Sequence, residues 1–243
     1  MDMTVLTLAC LLAGGLGNML APWLIYWIDR EHHLALLEAG APPGDSPAGP
    51  KMGARSIKWP WLELCAAACG GAWAYLHPAP SASTLVLLTV AVFVCSALVA
   101  SDVASKLLPD ALTVGGLWVA LLAAAAGFSI SSDSAILGAG LGYGLGAAIS
   151  LVGHRLSGRP ALGGGDGKLL ALIGAVMGPI AVVPTLVMGS CLGLIAPAGQ
   201  YLTGRRSFGT MAFGPYLVAA AAIWSLLGEA GQAALFAWLG IRV

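Results

Sequence analysis

Apolar stretches of membrane-spanning length, parted by short polar or glycine- and proline-rich connections, constrain this chain more than any other feature. A helix needs about 20 mostly apolar residues to cross a bilayer, and about eight stretches approach that length. They run over residues 3–28, 61–76, 84–101, 111–128 and 135–153. A sixth follows Lys168 and breaks around Gly178-Pro179, a seventh runs from Thr185 to Leu202, and an eighth begins at Phe213 with Glu229 near its far end. Charged residues make up only 9% of the chain, against about 25% in soluble domains. Such a chain cannot cover a water-facing surface. The expectation is one all-α domain over residues 1–243, a polytopic membrane helix bundle of about eight transmembrane helices whose first partner is the lipid bilayer.

The basic residues are distributed on one side of that map. Arg30, Lys51, Arg55 and Lys58 fall between the first two stretches, Lys106 between the third and fourth, Arg155, Arg159 and Lys168 between the fifth and sixth, and Arg205 and Arg206 between the last two. Ten of the eleven bases therefore share a face, and only Arg242 lies opposite. The positive-inside rule makes that face cytoplasmic and puts both termini outside. The N-terminus has no basic n-region and no obvious A-x-A site, so the first stretch reads as a retained span. Net charge is zero and the charges are segregated; no nucleic acid is expected as a partner. The five cysteines lie in or beside apolar runs with no C-x-x-C pair, so neither a zinc tetrad nor a disulfide framework is indicated, and no metal is expected. The glycines Gly138, Gly142 and Gly146, with Gly140 and Gly144 on a second track, form a small-residue packing face rather than a chemical one.

Chemistry points to two polar clusters at the cytoplasmic ends of apolar runs. The first is Leu162–Ala175, LGGGDGKLLALIGA, where Gly163, Gly164 and Gly165 lead into Asp166 and then Lys168. An acid and a base at the mouth of an apolar helix are costly and read as functional by default. The glycines let another backbone or a substrate approach the carboxylate, while the bland reading makes Asp166 a helix N-cap. In the second cluster, Asp102 closes one apolar run and Asp110 opens the next, with Pro109 separating the helices. Asp110 is well placed as an N-cap. Asp102 faces the negative end of its own helix dipole, which calls for a function or for pairing with Lys106 or Lys168. Glu63, about one turn inside the second stretch, either snorkels to the interface or pairs with Lys168 or Arg30. Asn18 reads as an interhelical hydrogen-bond donor.

Two carboxylates on different helices, facing one water, are what aspartyl proteolysis needs. Close like charges in a low dielectric push their pKa values apart, so the pair shares a proton. The chain resembles the type IV prepilin peptidases, bacterial members of the GxGD intramembrane aspartyl protease class. Gly163-Gly164-Gly165-Asp166 with Lys168-Leu169-Leu170 resembles their G-x-G-D-x-K-L motif. Asp102 and Asp110, with Leu108-Pro109 between, resemble their D-x7-D segment ending L-P-D-x-L-T. Gly17-Asn18 with Arg30, Pro60-Trp61-Leu62-Glu63-Leu64 and Phe213-Gly214-Pro215-Tyr216-Leu217 resemble three further segments, in the family's order. The resemblance implies Asp102 and Asp166 as the catalytic pair. Asp110, Lys168, Gly163, Gly165 and Glu63 are then supporting residues, in a peptidase of the bacterial inner membrane that cuts prepilin or pseudopilin leaders on the cytoplasmic side.

One departure is large. Many members of that family carry two C-x-x-C pairs that bind zinc in their first cytoplasmic loop, and they methylate the new pilin N-terminus with S-adenosylmethionine. Here that loop, residues 29–58, is short and has no cysteine, and its adjacent His32 and His33 point different ways on a helix. Either the protein only cleaves, needing no cofactor, or it methylates without zinc and S-adenosylmethionine is its cofactor. The rival reading is a small transporter or channel whose Asp102, Glu63 and Asp166 bind a cation or relay protons.

Overall fold

The computed structural model describes residues 8–14, 16–17, 20, 65, 68–69, 72, 82–105, 108–158, 161–202 and 212–238. Within them run six helices: α1 Ala82–Ser105, α2 Asp110–Ala125, α3 Ser132–Ser157, α4 Gly164–Met177, α5 Pro179–Leu202 and α6 Gly214–Trp238. Among the described residues there is no strand. Further helical residues occur in both of the first two expected stretches. Asn18, the loop at 29–58, Glu63 and Lys106 lie outside the described residues.

The bundle is all-helical as expected, but its helices differ in length from the sequence map. The Val86–Val103 part of α1 and the whole of α3 are each long and apolar enough to cross a bilayer alone. α2 and the Pro179–Ile195 part of α5 are apolar but shorter. α6 is broken at Gly228, where φ is 61° and ψ is 177°; Gln232 Nε2 reaches back across the break to the Trp224 carbonyl at 3.1 Å. The expected sixth stretch ends in a turn at Gly178, with φ 86°, and α5 starts at Pro179 rather than at Thr185. Glycine supplies the positive φ there, and proline at a first helical position gives up an N–H that would have no helical partner anyway.

α4 is the axis of the fold. Its 14 residues make a rod of about 21 Å at 1.5 Å per residue, short of the roughly 30 Å hydrocarbon core. It has little need to meet lipid, because Leu169 to Ala175 are all buried. They form the core with Leu98 of α1, Ala120 of α2, Val182 of α5 and Leu217 of α6. A helix that is apolar all round is one enclosed by other helices. The outward faces of α2 and α3, by contrast, expose Trp118, Leu122, Ile136, Leu137, Leu151 and Leu156, a surface suited to acyl chains.

One glycine track on α3 seats α4. A Cβ at Gly138 or Gly142 would run into the carbonyl oxygens of Gly174 and Leu170, and one at Gly146 would lie 2.7 Å from Gly167 Cα. Gly140 and Gly144 face open space, so the second track takes no part. Close backbone approach at small residues is how helices associate where no hydrophobic effect drives them together. That contact fixes α4 along its axis, and so fixes the height of its first turn, where Asp166 sits.

Candidate active site

The end of α1 and the starts of α2, α4 and α6 converge at one end of the bundle. Asp102, in the last turn of α1, is 3% exposed. Its Oδ2 accepts the backbone N–H of Gly214, the first residue of α6, at 2.8 Å. Asp166 is the third residue of α4, ahead of the apolar run that starts at Leu169. Its carboxyl takes a backbone hydrogen bond from Gly163, the residue that caps α4 with extended backbone, φ −65° and ψ 147°. A side chain in the third position reaching back to the capping residue's N–H is one half of a capping box. Asp166 is therefore neither a simple N-cap nor a solvated acid.

Burial pushes the Asp166 carboxyl up from 3.8 to about 6. The negative charge of Asp102 adds to that rise, and the Gly163 hydrogen bond opposes it. Asp166 Oδ1 is shielded from solvent and has no hydrogen-bond partner. An unmatched, buried carboxyl oxygen is more comfortable protonated, since its O–H is then a donor. The two acids expected to act together are thus close enough for one to disfavour ionisation of the other.

The motif glycines differ in what surrounds them. A Cβ at Gly163 would lie 2.9 Å from Asp166 Oδ2, and one at Gly165 would lie 3.1 Å from Leu108 Cβ, whereas Gly164 faces nothing within 4 Å. The first lets the chain fold back onto its own carboxylate; the second lets α4 pass the segment before α2.

Asp110 departs from its expected role. The residue capping α2 is Pro109, with no side-chain cap bond, and Asp110 is the first residue inside the helix. Its carboxylate instead pairs with Lys168 Nζ at 2.5 Å. Lys168 was a candidate partner for Asp102 or Glu63; the structure gives it to Asp110, tying the first turn of α4 to that of α2. Asp110 is 67% exposed, whereas Asp102 is buried. Among the described residues no three His, Cys, Asp or Glu side chains gather as metal ligands would.

In the sequence Phe213–Leu217 opens the eighth apolar stretch and resembles a family motif, but neither feature gives it a role at the site. The local signal was present: a Gly-Pro step opening an apolar helix leaves a backbone N–H without an intrahelical partner. Nothing in the sequence says that a carboxylate 112 residues away would take it.

The chain matches the type IV leader peptidase family over residues 87–198, which hold Asp102, Asp110, Asp166 and Lys168 but not Gly214. Its curated relatives include proteins named prepilin leader peptidase/N-methyltransferase. That of Dickeya chrysanthemi is 34% identical over 72% of this chain and 68% of its own length. That of Pseudomonas putida is 36% identical over 72% of this chain and 60% of its own length. That of Neisseria gonorrhoeae is 34% identical over 67% of this chain and 55% of its own length. The chain thus spans between 55 and 68% of the length of these relatives. No solved structure matches it significantly.

Proposed function

This chain belongs to the type IV leader peptidase family, and on that premise we propose that it is a membrane aspartyl endopeptidase with Asp102 and Asp166 as its catalytic pair. Its substrates are the leader segments of type IV prepilins or pseudopilins, cut at the cytoplasmic face of the inner membrane. The observation that carries the reading is that a buried acid, Asp102, and a half-buried one, Asp166, come from separate helices and lie near enough for the first to raise the pKa of the second. The transport reading has no comparable support: of its acids, Asp102 and Asp166 stand at helix ends, and Glu63 lies outside the described residues.

The chemistry follows from the asymmetry of the pair. Asp102, held by a backbone N–H, acts as the carboxylate that takes a proton from water. The water oxygen bonds to the scissile carbonyl carbon while protonated Asp166 gives its proton to the carbonyl oxygen. As the tetrahedral gem-diol collapses, the C–N bond breaks, the proton held by Asp102 passes to the leaving nitrogen, and Asp166 takes back a proton from a gem-diol hydroxyl as the C=O bond re-forms. The pair ends with its one proton restored. A substrate that is itself a membrane helix presents its cytoplasmic end at this end of the bundle.

Because the 29–58 loop has no cysteine, we further propose cleavage without zinc and without methyl transfer; S-adenosylmethionine is needed only if methylation is retained. The test is prepilin processing in membranes, with each variant's abundance checked by blot. Asp102→Asn and Asp166→Asn should each abolish cleavage, and the double variant should be no worse, since members of one catalytic unit are not additive. Asp110→Asn should be mild, because an exposed ion pair is worth about 0–1 kcal/mol. A dead Asp110→Asn protein beside an active Asp102→Asn protein would move the pair to Asp110 and Asp166. Cleavage by all three single variants would end the protease reading. Chelators should leave processing intact, and mass spectrometry should find mature pilin unmethylated; a methyl group that depends on this protein would overturn the second proposal.

A further inference from the structure

We propose that Gly214 is a positioning residue for Asp102: its backbone N–H, offered by the first turn of α6, holds one oxygen of the carboxylate and so sets the geometry of the catalytic centre. This rests on the assignment of Asp102 to the catalytic pair.

The first turn of α6 has a single backbone donor to spare at this point. The Phe213 carbonyl accepts the N–H groups of Tyr216 at 3.1 Å and Leu217 at 3.3 Å. Pro215 has no N–H to give. The Gly214 N–H is one of the donors every helix start leaves without an internal partner, and it is spent on Asp102 Oδ2 at 2.8 Å in a buried setting. A hydrogen bond to an ionised acceptor is short and strong, more so where water is excluded. Anchoring Oδ2 stops rotation of the carboxyl about its Cβ–Cγ bond, which fixes the direction of the other oxygen.

The contact also explains why the position is glycine. Its φ is not left-handed, so conformational freedom is not the reason. An added Cβ would lie 2.7 Å from Asp102 Oδ2 and 3.3 Å from its Cγ. What has to yield is the end of a side chain rather than a backbone, so the fold survives and the carboxylate moves. α6 follows the other helices in the chain, yet its start sits on the catalytic group of α1. Docking of the C-terminal helix and formation of the active centre are then one event.

The experiment uses the full chain in proteoliposomes, with kcat and KM measured on a prepilin. Gly214→Ala should lower kcat about a hundredfold, the usual consequence of displacing a reacting group by about 1 Å, with KM within about twofold. Ala219→Leu, on the exposed face of α6, should keep both constants. Wild-type kcat in Gly214→Ala would overturn the proposal, and so would a loss confined to KM. If Gly214→Ala folds poorly, thermal unfolding decides. The loss of Tm it causes should shrink by at least about half in an Asp102→Ala background, where the added methyl has room; equal losses in the two backgrounds would overturn the contact. Asp102→Asn runs beside them. If it cleaves normally, the catalytic assignment fails; if it is dead while Gly214→Ala is fully active, only the positioning role fails.

Discussion

Asp166 occupies a place where a carboxylate is costly, and the cost depends on pH. The unfolded chain leaves its carboxyl near 3.8, and the fold raises it to about 6. Between those values the folded protein holds a proton that the unfolded chain has released, so stability falls as pH rises through the window. Above it both states are ionised and the whole penalty remains; below it there is none. Asp166→Asn removes the ionisable group. It should melt a few degrees above wild type at about pH 8, and the gap should close towards about pH 4. A gap that does not change with pH would contradict the assigned shift. The neighbouring glycines carry a second prediction. Gly163→Ala would push a methyl against Asp166 Oδ2, while Gly164→Ala meets open space. The first should lower processing at least about tenfold at normal abundance, and the second should process like wild type.

At the scale of elements, the contact between α3 and α4 decides where the site sits. The two glycine tracks on α3 share a four-residue spacing, three glycines on one and two on the other, and the spacing does not say which of them meets α4. The structure shows only Gly138, Gly142 and Gly146 against α4. Gly142→Ala drives a methyl into the Leu170 carbonyl; a rigid backbone cannot yield cheaply, and the expected cost is about 1–3 kcal/mol or more. Gly144→Ala should cost nothing, and by helix propensity should stabilise by up to about 1 kcal/mol. Thermal unfolding of the two proteins in one detergent compares them directly, and equal melting temperatures would contradict the packing. The tie between Lys168 and Asp110 joins α4 to α2 nearer the surface and is expected to contribute far less.

For the whole molecule, the convergence of the α1 end with the starts of α2, α4 and α6 puts the acids on one side and the turn before Ser132 on the other. The order of spans read from the sequence assigns ten of the eleven bases to the side of the acids, and by the positive-inside rule we propose that this side is cytoplasmic. Single cysteines at Ser46 and Ser132 in a cysteine-free background should therefore label from opposite sides of the membrane. Equal labelling from outside would refute this sidedness and the span map behind it.

Membrane residence, helical class and the two acids at the ends of apolar runs were all legible in the sequence, for one physical reason. Lipid permits no unpaired backbone and few charges, so both departures and compliance show in the linear order of residues. Family motifs added Asp102 and Asp166 as partners. Three things were decided only by tertiary structure. Asp110 belongs to Lys168 and caps nothing; α4 is an enclosed short helix rather than a full span; and Gly214 reaches Asp102 across 112 residues. Each depends on which faces meet. A backbone N–H at a helix start looks the same in every sequence, and only the packing of one helix end upon another determines which acid receives it.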